Sequence, residues 1–273
     1  MGYYINVEPN VSVFVEDLNP EGTKTIVFLH GWPGDHNLFE YQFNILPNMG
    51  YRCIGLDQRG FGQSDKPAFG YDYDRLSDDV RCVIESLLLS DVTLLGHSTG
   101  GAIAARYMAR HRGYGVSQLV LCAAPVPSLI KRANFPYGVD KEVILNMIEA
   151  SYQDRPKMLE NFGDNFFFQH NSQAFSTWFF TLGLQAASWA TIAVEKTWLG
   201  EEKLFHDMDE ICTPTLIMHG IHDKIVPYPL AEVQNKGIKN SKLIPFEFSG
   251  HAMFYDEKDK FNKELIKFIG ENC

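Results

Sequence analysis

No apolar run in this chain of 273 residues approaches the roughly 18 residues a helix needs to cross a bilayer. Basic residues are in short supply, with 24 Lys and Arg against 34 Asp and Glu and a formal net charge of -10. Such a surface repels phosphate backbones and anionic headgroups, which argues against nucleic acid or membrane as a partner. The first residues, MGYYINVEPN, lack a basic stretch followed by an apolar one, and position six is Asn rather than the Ser or Thr of an acylation signal, so a cytoplasmic location is expected. Cysteine is sparse and odd in number. The five (Cys53, Cys82, Cys122, Cys212, Cys273) contain no C-x-x-C pair, which reads as reduced thiols rather than a disulfide framework or a zinc site. Three of them lie in or beside apolar runs, where a free cysteine behaves as a small hydrophobe. Internal repeats and low-complexity tracts are also missing.

What is present is the composition of a globular enzyme or binding protein, 45% hydrophobic and 21% charged. Short apolar runs recur, each followed by glycine or a polar turn and then a helix-like stretch: Thr25 to Leu29, Tyr51 to Leu56, Val92 to Leu95, Gln118 to Cys122, Thr215 to Met218 and Leu243 to Phe248. Continuous apolar strands alternating with helices imply a mostly parallel, doubly wound sheet covered on both faces, an α/β fold. Ahead of them, Ile5 to Val15 alternates around Pro9-Asn10 and reads as an antiparallel hairpin on the sheet edge. One segment breaks the rhythm. From 126 to 206 there is no clear strand and aromatics are dense, from Phe135 to Trp198. It is expected to form a helical cap, or lid, inserted in a core domain made of 1–125 and 207–273. Most of its aromatics should pack the cap down and about a third should face a pocket.

The chemistry begins at Gly96-His97-Ser98-Thr99-Gly100, between the apolar run Val92 to Leu95 and a good helix former. In that setting G-x-S-x-G forms a nucleophile elbow, so tight that only glycine tolerates the flanking positions, and it lifts the serine hydroxyl above the sheet. Ser98 is the candidate nucleophile. Its hydroxyl needs a positioned base, and His251, in Ser249-Gly250-His251 just after the last apolar run, supplies one. The imidazole in turn needs an acid, and Asp223, in His219-Gly220-Ile221-His222-Asp223, follows a strand as the chain order serine, acid, histidine requires. His219 and His222 lack a third ligand for a metal, so none is expected. His97 should be turned away by the elbow, and His36, His111, His170 and His206 read as surface or packing residues. The oxyanion donors are expected from the Thr99 amide and, in His30-Gly31-Trp32-Pro33-Gly34, from the Trp32 amide, with the Trp32 indole lining the substrate pocket. Asp57 to Ser64 reads as a structural loop with glycine turns and a charged brace.

With these segments quoted, the chain resembles the α/β-hydrolase superfamily from about residue 24 to its end. His30-Gly31-Trp32-Pro33, Asp57-Gln58-Arg59-Gly60-Phe61-Gly62-Gln63-Ser64, Gly96 through Gly101 with Ala105 to His111, and His219 through Pro227 are similar to the cofactor-free haloperoxidase, arylesterase and perhydrolase group. The resemblance implies an esterase or lactonase acting on a small molecule through an acyl-enzyme, with peroxidase activity when hydrogen peroxide replaces water, and neither haem nor metal. A triad-bearing lyase, thioesterase or carbon–carbon bond hydrolase, or a ligand sensor, stays open on the same fold, as does self-association.

Overall fold

The computed structural model of the protein describes residues 1–271. The hairpin is longer than its alternation implies. β1 (Gly2–Glu8) and β2 (Val11–Leu18) pair antiparallel around Asn10, whose φ of 64° is a conformation asparagine tolerates better than most residues. β2 then runs antiparallel to β4 (Tyr51–Leu56). From β4 onward the pairing is parallel, through β3 (Lys24–Leu29), β5 (Val92–His97), β6 (Val116–Cys122), β7 (Thr215–Gly220) and β8 (Ser241–Phe246), giving the order β1-β2-β4-β3-β5-β6-β7-β8. The last strand starts and stops two residues earlier than the apolar run suggested, because Glu247 and Phe248 have left the ladder to begin the His251 loop.

Every residue of β5 and β7 is buried, as a parallel strand covered on both faces requires. The short α1 (Glu40–Phe43), α9 (Met253–Asp256) and α10 (Lys258–Glu271) pack together, while α2 (Tyr73–Ser86) packs on α3 (Thr99–Arg110), and α3 on α7 (Leu204–Glu210). α2 shows the amphipathic logic: Asp72 caps its first turn by accepting the Arg75 amide at 3.1 Å, and Leu76, Val80, Val83 and Ile84 line its buried stripe. α8 (Pro229–Gly237) covers β7 and β8. Cys53 and Cys122 are buried inside β4 and β6, Cys82 is half-buried and Cys212 exposed, all as free thiols; Cys273 lies outside the described residues.

Between β6 and β7 the chain leaves the sheet and forms α4 (Lys141–Gly163), α5 (Gln173–Gln185) and α6 (Ser188–Gly200) before α7. α4 packs on both α5 and α6. Residues Ile130 with Val139 and Arg132 with Phe135 form only isolated bridges. No helix among the described residues is long and apolar enough to cross a membrane.

Candidate active site

The chain crosses from one side of the sheet to the other at β3, whose neighbours are β4 and β5, and the candidate residues gather at the carboxyl ends of the strands around that point. Trp32 follows β3, Ser98 follows β5, Asp223 follows β7 and His251 follows β8. Four segments distant in sequence are brought to one edge.

The elbow is as tight as its glycines imply. A Cβ on Gly96 would lie 2.3 Å from the Gly100 carbonyl oxygen, and one on Gly100 would lie 2.3 Å from the Leu29 carbonyl oxygen, so neither position admits a side chain. Between them Ser98 is held at φ 52°, ψ -124°, a region L-residues rarely occupy, and its amide donates to the Cys122 carbonyl at 2.8 Å. α3 then starts directly behind Ser98, aiming its N-terminal dipole at the hydroxyl. The Thr99 amide falls in the first turn of α3, and no acceptor among the described residues takes it or the Trp32 amide. Two free backbone donors therefore flank the elbow.

His251 and Asp223 are paired. Nδ1 of His251 donates to Oδ2 of Asp223 at 2.7 Å, both side chains being fully buried. Oδ1 of Asp223 accepts the Ile225 and Val226 amides at 2.8 and 2.9 Å. Burial alone would raise this acid, but the imidazoles of His251 and His219 outweigh it and hold the carboxyl well below the usual carboxylate range. A carboxylate can only accept, so the proton of His251 resides on Nδ1 and the lone pair on Nε2. That Nε2 is buried without a hydrogen-bond partner among the described residues, a base with its acceptor side open.

His97 is not simply turned aside. It lies fully buried beneath the loop, its Nε2 donating to the His251 carbonyl at 2.9 Å and its ring centroid 4.6 Å from that of His251. Burial, then the neighbouring imidazole, pushes its pKa well below the ordinary histidine value, so it stays neutral. A Cβ on Gly31 would lie 2.6 Å from His97 Nδ1, which is why the loop after β3 needs glycine there. The segment after α4 contributes too. The Phe166 carbonyl accepts the His251 amide at 3.0 Å, and Asp256 accepts the amides of Phe168, Gln169 and Gly250 at 2.9, 3.1 and 2.9 Å, clamping the segment after α4 to the histidine loop. The sequence reading turned His97 away from the site and gave Phe166 and Asp256 no role in it. The only signal was adjacency to Ser98 for His97 and to the His251 loop for Asp256.

The loop after β4 braces the segment after β3. Gln58 donates its amide to His30 Nε2 at 3.0 Å, and His30 Nδ1 donates to the Gly31 carbonyl at 3.0 Å. Arg59 is buried against Asp79 and Glu8, the charged brace expected of that loop. Asp35, His36 and Asp57 form a compact buried acid–imidazole cluster with metal-ligand reach. Hydrogen bonds already occupy both Asp57 oxygens and one of Asp35: Asp57 accepts from the His36 ring and amide and from the Gln63 amide, while Asp35 Oδ1 accepts from Asn37. Of the two histidines beside Asp223, His219 donates to the Val226 carbonyl at 2.8 Å with Asp223 Oδ2 at 3.2 Å, and His222 stacks on Phe168 at 4.1 Å.

A cavity of about 90 Å³ opens onto Ser98 and Thr99. Its walls are Trp32, Pro125, Leu129, Val139, Ile144 and Met147, with Val143, Phe162, Trp198 and the segment Lys224 to Val226 completing it. Trp32 meets the rings of Phe162 and Trp198 edge-on at 5.0 and 5.1 Å, and its indole N–H donates to the Thr191 carbonyl at 3.2 Å. Its amphipathic ring thus serves the pocket with its apolar faces only. Of the dense aromatics between 126 and 206, just Phe162 and Trp198 reach this cavity, fewer than the third expected; Phe166, Phe167, Phe175 and Phe179 pack on each other and on Tyr255. A wider depression of about 750 Å³ between α4 and α5 contains none of Ser98, Asp223 or His251.

Comparison with known proteins agrees with this architecture. The chain is 47% identical over 268 residues to the AB hydrolase superfamily protein YisY of Bacillus subtilis, covering 98% of this chain and 99% of that protein. Among solved structures, the esterase EaEST from Exiguobacterium antarcticum superposes with a TM-score of 0.96 at 41% identity, covering 99% of this chain and all of that one. A bromoperoxidase from Bacillus anthracis superposes with a TM-score of 0.93 at 29% identity, over 99% of this chain and 100% of its own. The profile of the alpha/beta hydrolase fold family matches residues 24–258, and the chain belongs to that family, on the branch whose relatives are esterases and non-haem haloperoxidases.

Proposed function

We propose that the protein is a serine hydrolase of small carboxylic esters or lactones, working by two-step acyl transfer. The observation that carries this reading is the convergence, at one end of the sheet, of a strained Ser98 and a buried His251–Asp223 pair whose Nε2 is open, flanked by the unengaged Trp32 and Thr99 amides. In the first step His251 Nε2 takes the Ser98 proton as Oγ attacks the carbonyl carbon. The Trp32 and Thr99 amides hold the oxyanion, and Asp223 stabilises the imidazolium. Collapse expels the alcohol, which receives the proton from His251. Water, deprotonated by the same imidazole, then attacks the acyl-enzyme and releases the acid. Hydrogen peroxide in place of water would release the peracid instead, in keeping with relatives named haloperoxidases and perhydrolases.

In this reading residues 126–206 act as a cap that roofs the cavity with Ile144, Met147, Phe162 and Trp198, and its narrow apolar space favours a short acyl group. The test is a chain-length series of p-nitrophenyl esters, acetate to octanoate, on wild type and Ser98→Ala in parallel. Losing the nucleophile of such a triad costs on the order of a million-fold in turnover. A Ser98→Ala protein that kept its esterase activity would end the assignment, and a protein inert on every ester would shift weight to the lyase and sensor alternatives.

A further inference from the structure

The cavity wall is uniform in one respect. Apart from the hydroxyls of Ser98 and Thr99, every side chain lining it is apolar or an indole, with a single exception, Lys224. Lys224 and Val143 are the exposed members of the lining, so they mark where the cavity opens to solvent. The other lining residues are buried or half-buried. Lys224 makes no ion pair among the described residues, and no acidic side chain shares the wall with it. It directly follows Asp223, whose side chain pairs with His251, and the amides of the next two residues, Ile225 and Val226, both donate to Asp223 Oδ1, so its backbone is held by the same turn.

This arrangement has a chemical reading. An apolar tube ending at a serine would accept any short chain and could hardly distinguish one from another, since each methylene is worth little discrimination. Lys224 is the one charged residue of that lining and is exposed, and its ammonium, turned to the rim, would add a point charge that only one class of tail can use. Near a low-dielectric wall a charge-assisted hydrogen bond to a carboxylate is stronger than the same contact in open water. The chain as a whole is acidic, and a local cation at the opening is what an anionic substrate needs to approach it.

Resting on Ser98 as the nucleophile, we propose that the preferred substrates are short esters bearing a free carboxylate, which Lys224 binds at the rim while the apolar segment between the two groups occupies the cavity. The carboxylate can belong to the acyl half, as in the half-ester of a dicarboxylic acid, or to the departing alcohol. Both present the same anion to Lys224.

Two matched pairs separate the sources. Mono-p-nitrophenyl glutarate against p-nitrophenyl pentanoate places the charge on the acyl half, and 4-acetoxybenzoate against 4-acetoxybenzamide places it on the leaving group. For each pair the readout is the ratio of kcat/KM for the anionic ester to that for its neutral partner, in wild type, Lys224→Arg, Lys224→Gln and Lys224→Glu. The expected result is that in one pair the ratio falls about tenfold in Lys224→Gln and further in Lys224→Glu, mainly through KM, and is kept by Lys224→Arg. The wild-type preference should also shrink as salt is raised from low ionic strength to about 0.5 M, because a rim contact is screened. Ratios that are the same in all four proteins for both pairs would overturn the proposal while leaving the esterase reading intact. Absence of Ser98-dependent turnover on all four esters would instead remove the reading on which the proposal rests.

Discussion

Glu195 is a carboxyl in the wrong place for neutral pH. It sits on α6, fully buried, with Oε1 accepting the Ser151 hydroxyl of α4 at 2.8 Å and Oε2 without a partner among the described residues. Its neighbour Lys196 reaches the Tyr152 hydroxyl instead. Burial, only partly offset by Ser151 and Lys196, raises the acid from 4.5 to about 7. That displacement corresponds to about 3 kcal/mol of folding stability. The sign follows from which state holds the proton. Below about 4.5 both states are protonated and nothing is lost. Between 4.5 and about 7 the unfolded chain has given up its proton while the folded one keeps it, so stability falls by about 1.4 kcal/mol per pH unit, and above 7 the loss is complete. Glu195→Gln removes the titration. Its unpaired amide hydrogens impose a constant offset, but the melting-temperature difference from wild type should move in favour of the variant by about 5–10 °C between pH 4.5 and 8. Differential scanning calorimetry of both proteins across that range measures it. Curves that run parallel at every pH would refute the reasoning, because they would mean that Glu195 ionises as readily in the folded protein as in the unfolded chain.

Asp223→Asn should keep the fold's outline but present an amide to His251 Nδ1, favouring the tautomer with its proton on Nε2; turnover should drop on the order of 10⁴-fold, measured at several pH values with the best ester. The variant should also change acid stability, since a carboxyl held below its unfolded value contributes stability above that value and loses it only as pH falls through the lower one. Asp256→Ala releases three amides that join the cap segment to the histidine loop, and turnover should fall about tenfold together with faster proteolytic cleavage between 164 and 171. Unchanged cleavage and turnover would show that the Phe166 carbonyl holds His251 without that clamp.

The parallel sheet was legible because its strands are short apolar runs each followed by glycine or a polar turn, and a strand buried on both faces leaves that pattern whatever its neighbours. The elbow was legible because a turn this tight excludes every residue but glycine at Gly96 and Gly100, which makes a local signature of a three-dimensional constraint. That Asp223 and His251 each follow a strand could be read from chain order, and the structure pairs their side chains. What the sequence hid are contacts across long separations. His97 meeting the His251 carbonyl, Gln58 bracing His30, and Asp256 gathering Phe168, Gln169 and Gly250 depend on loop paths that no periodicity encodes. The share of aromatics between 126 and 206 that reach the cavity was misjudged for a related reason. A phenylalanine facing another phenylalanine and one facing a cavity look alike in sequence, and here Phe166, Phe167 and Phe179 meet one another tilted or edge-on at 4.5 to 5.0 Å.

The proposed acyl-enzyme is open to direct observation. Wild type mixed with p-nitrophenyl acetate, quenched in acid within the first turnover and digested, is read by mass spectrometry of the peptide containing Ser98. The account requires a gain of one acetyl group on Ser98, in proportion to a burst of nitrophenol and absent in Ser98→Ala. Turnover with no burst and an unmodified Ser98 peptide, or acetyl on another residue that tracks the burst, would contradict it.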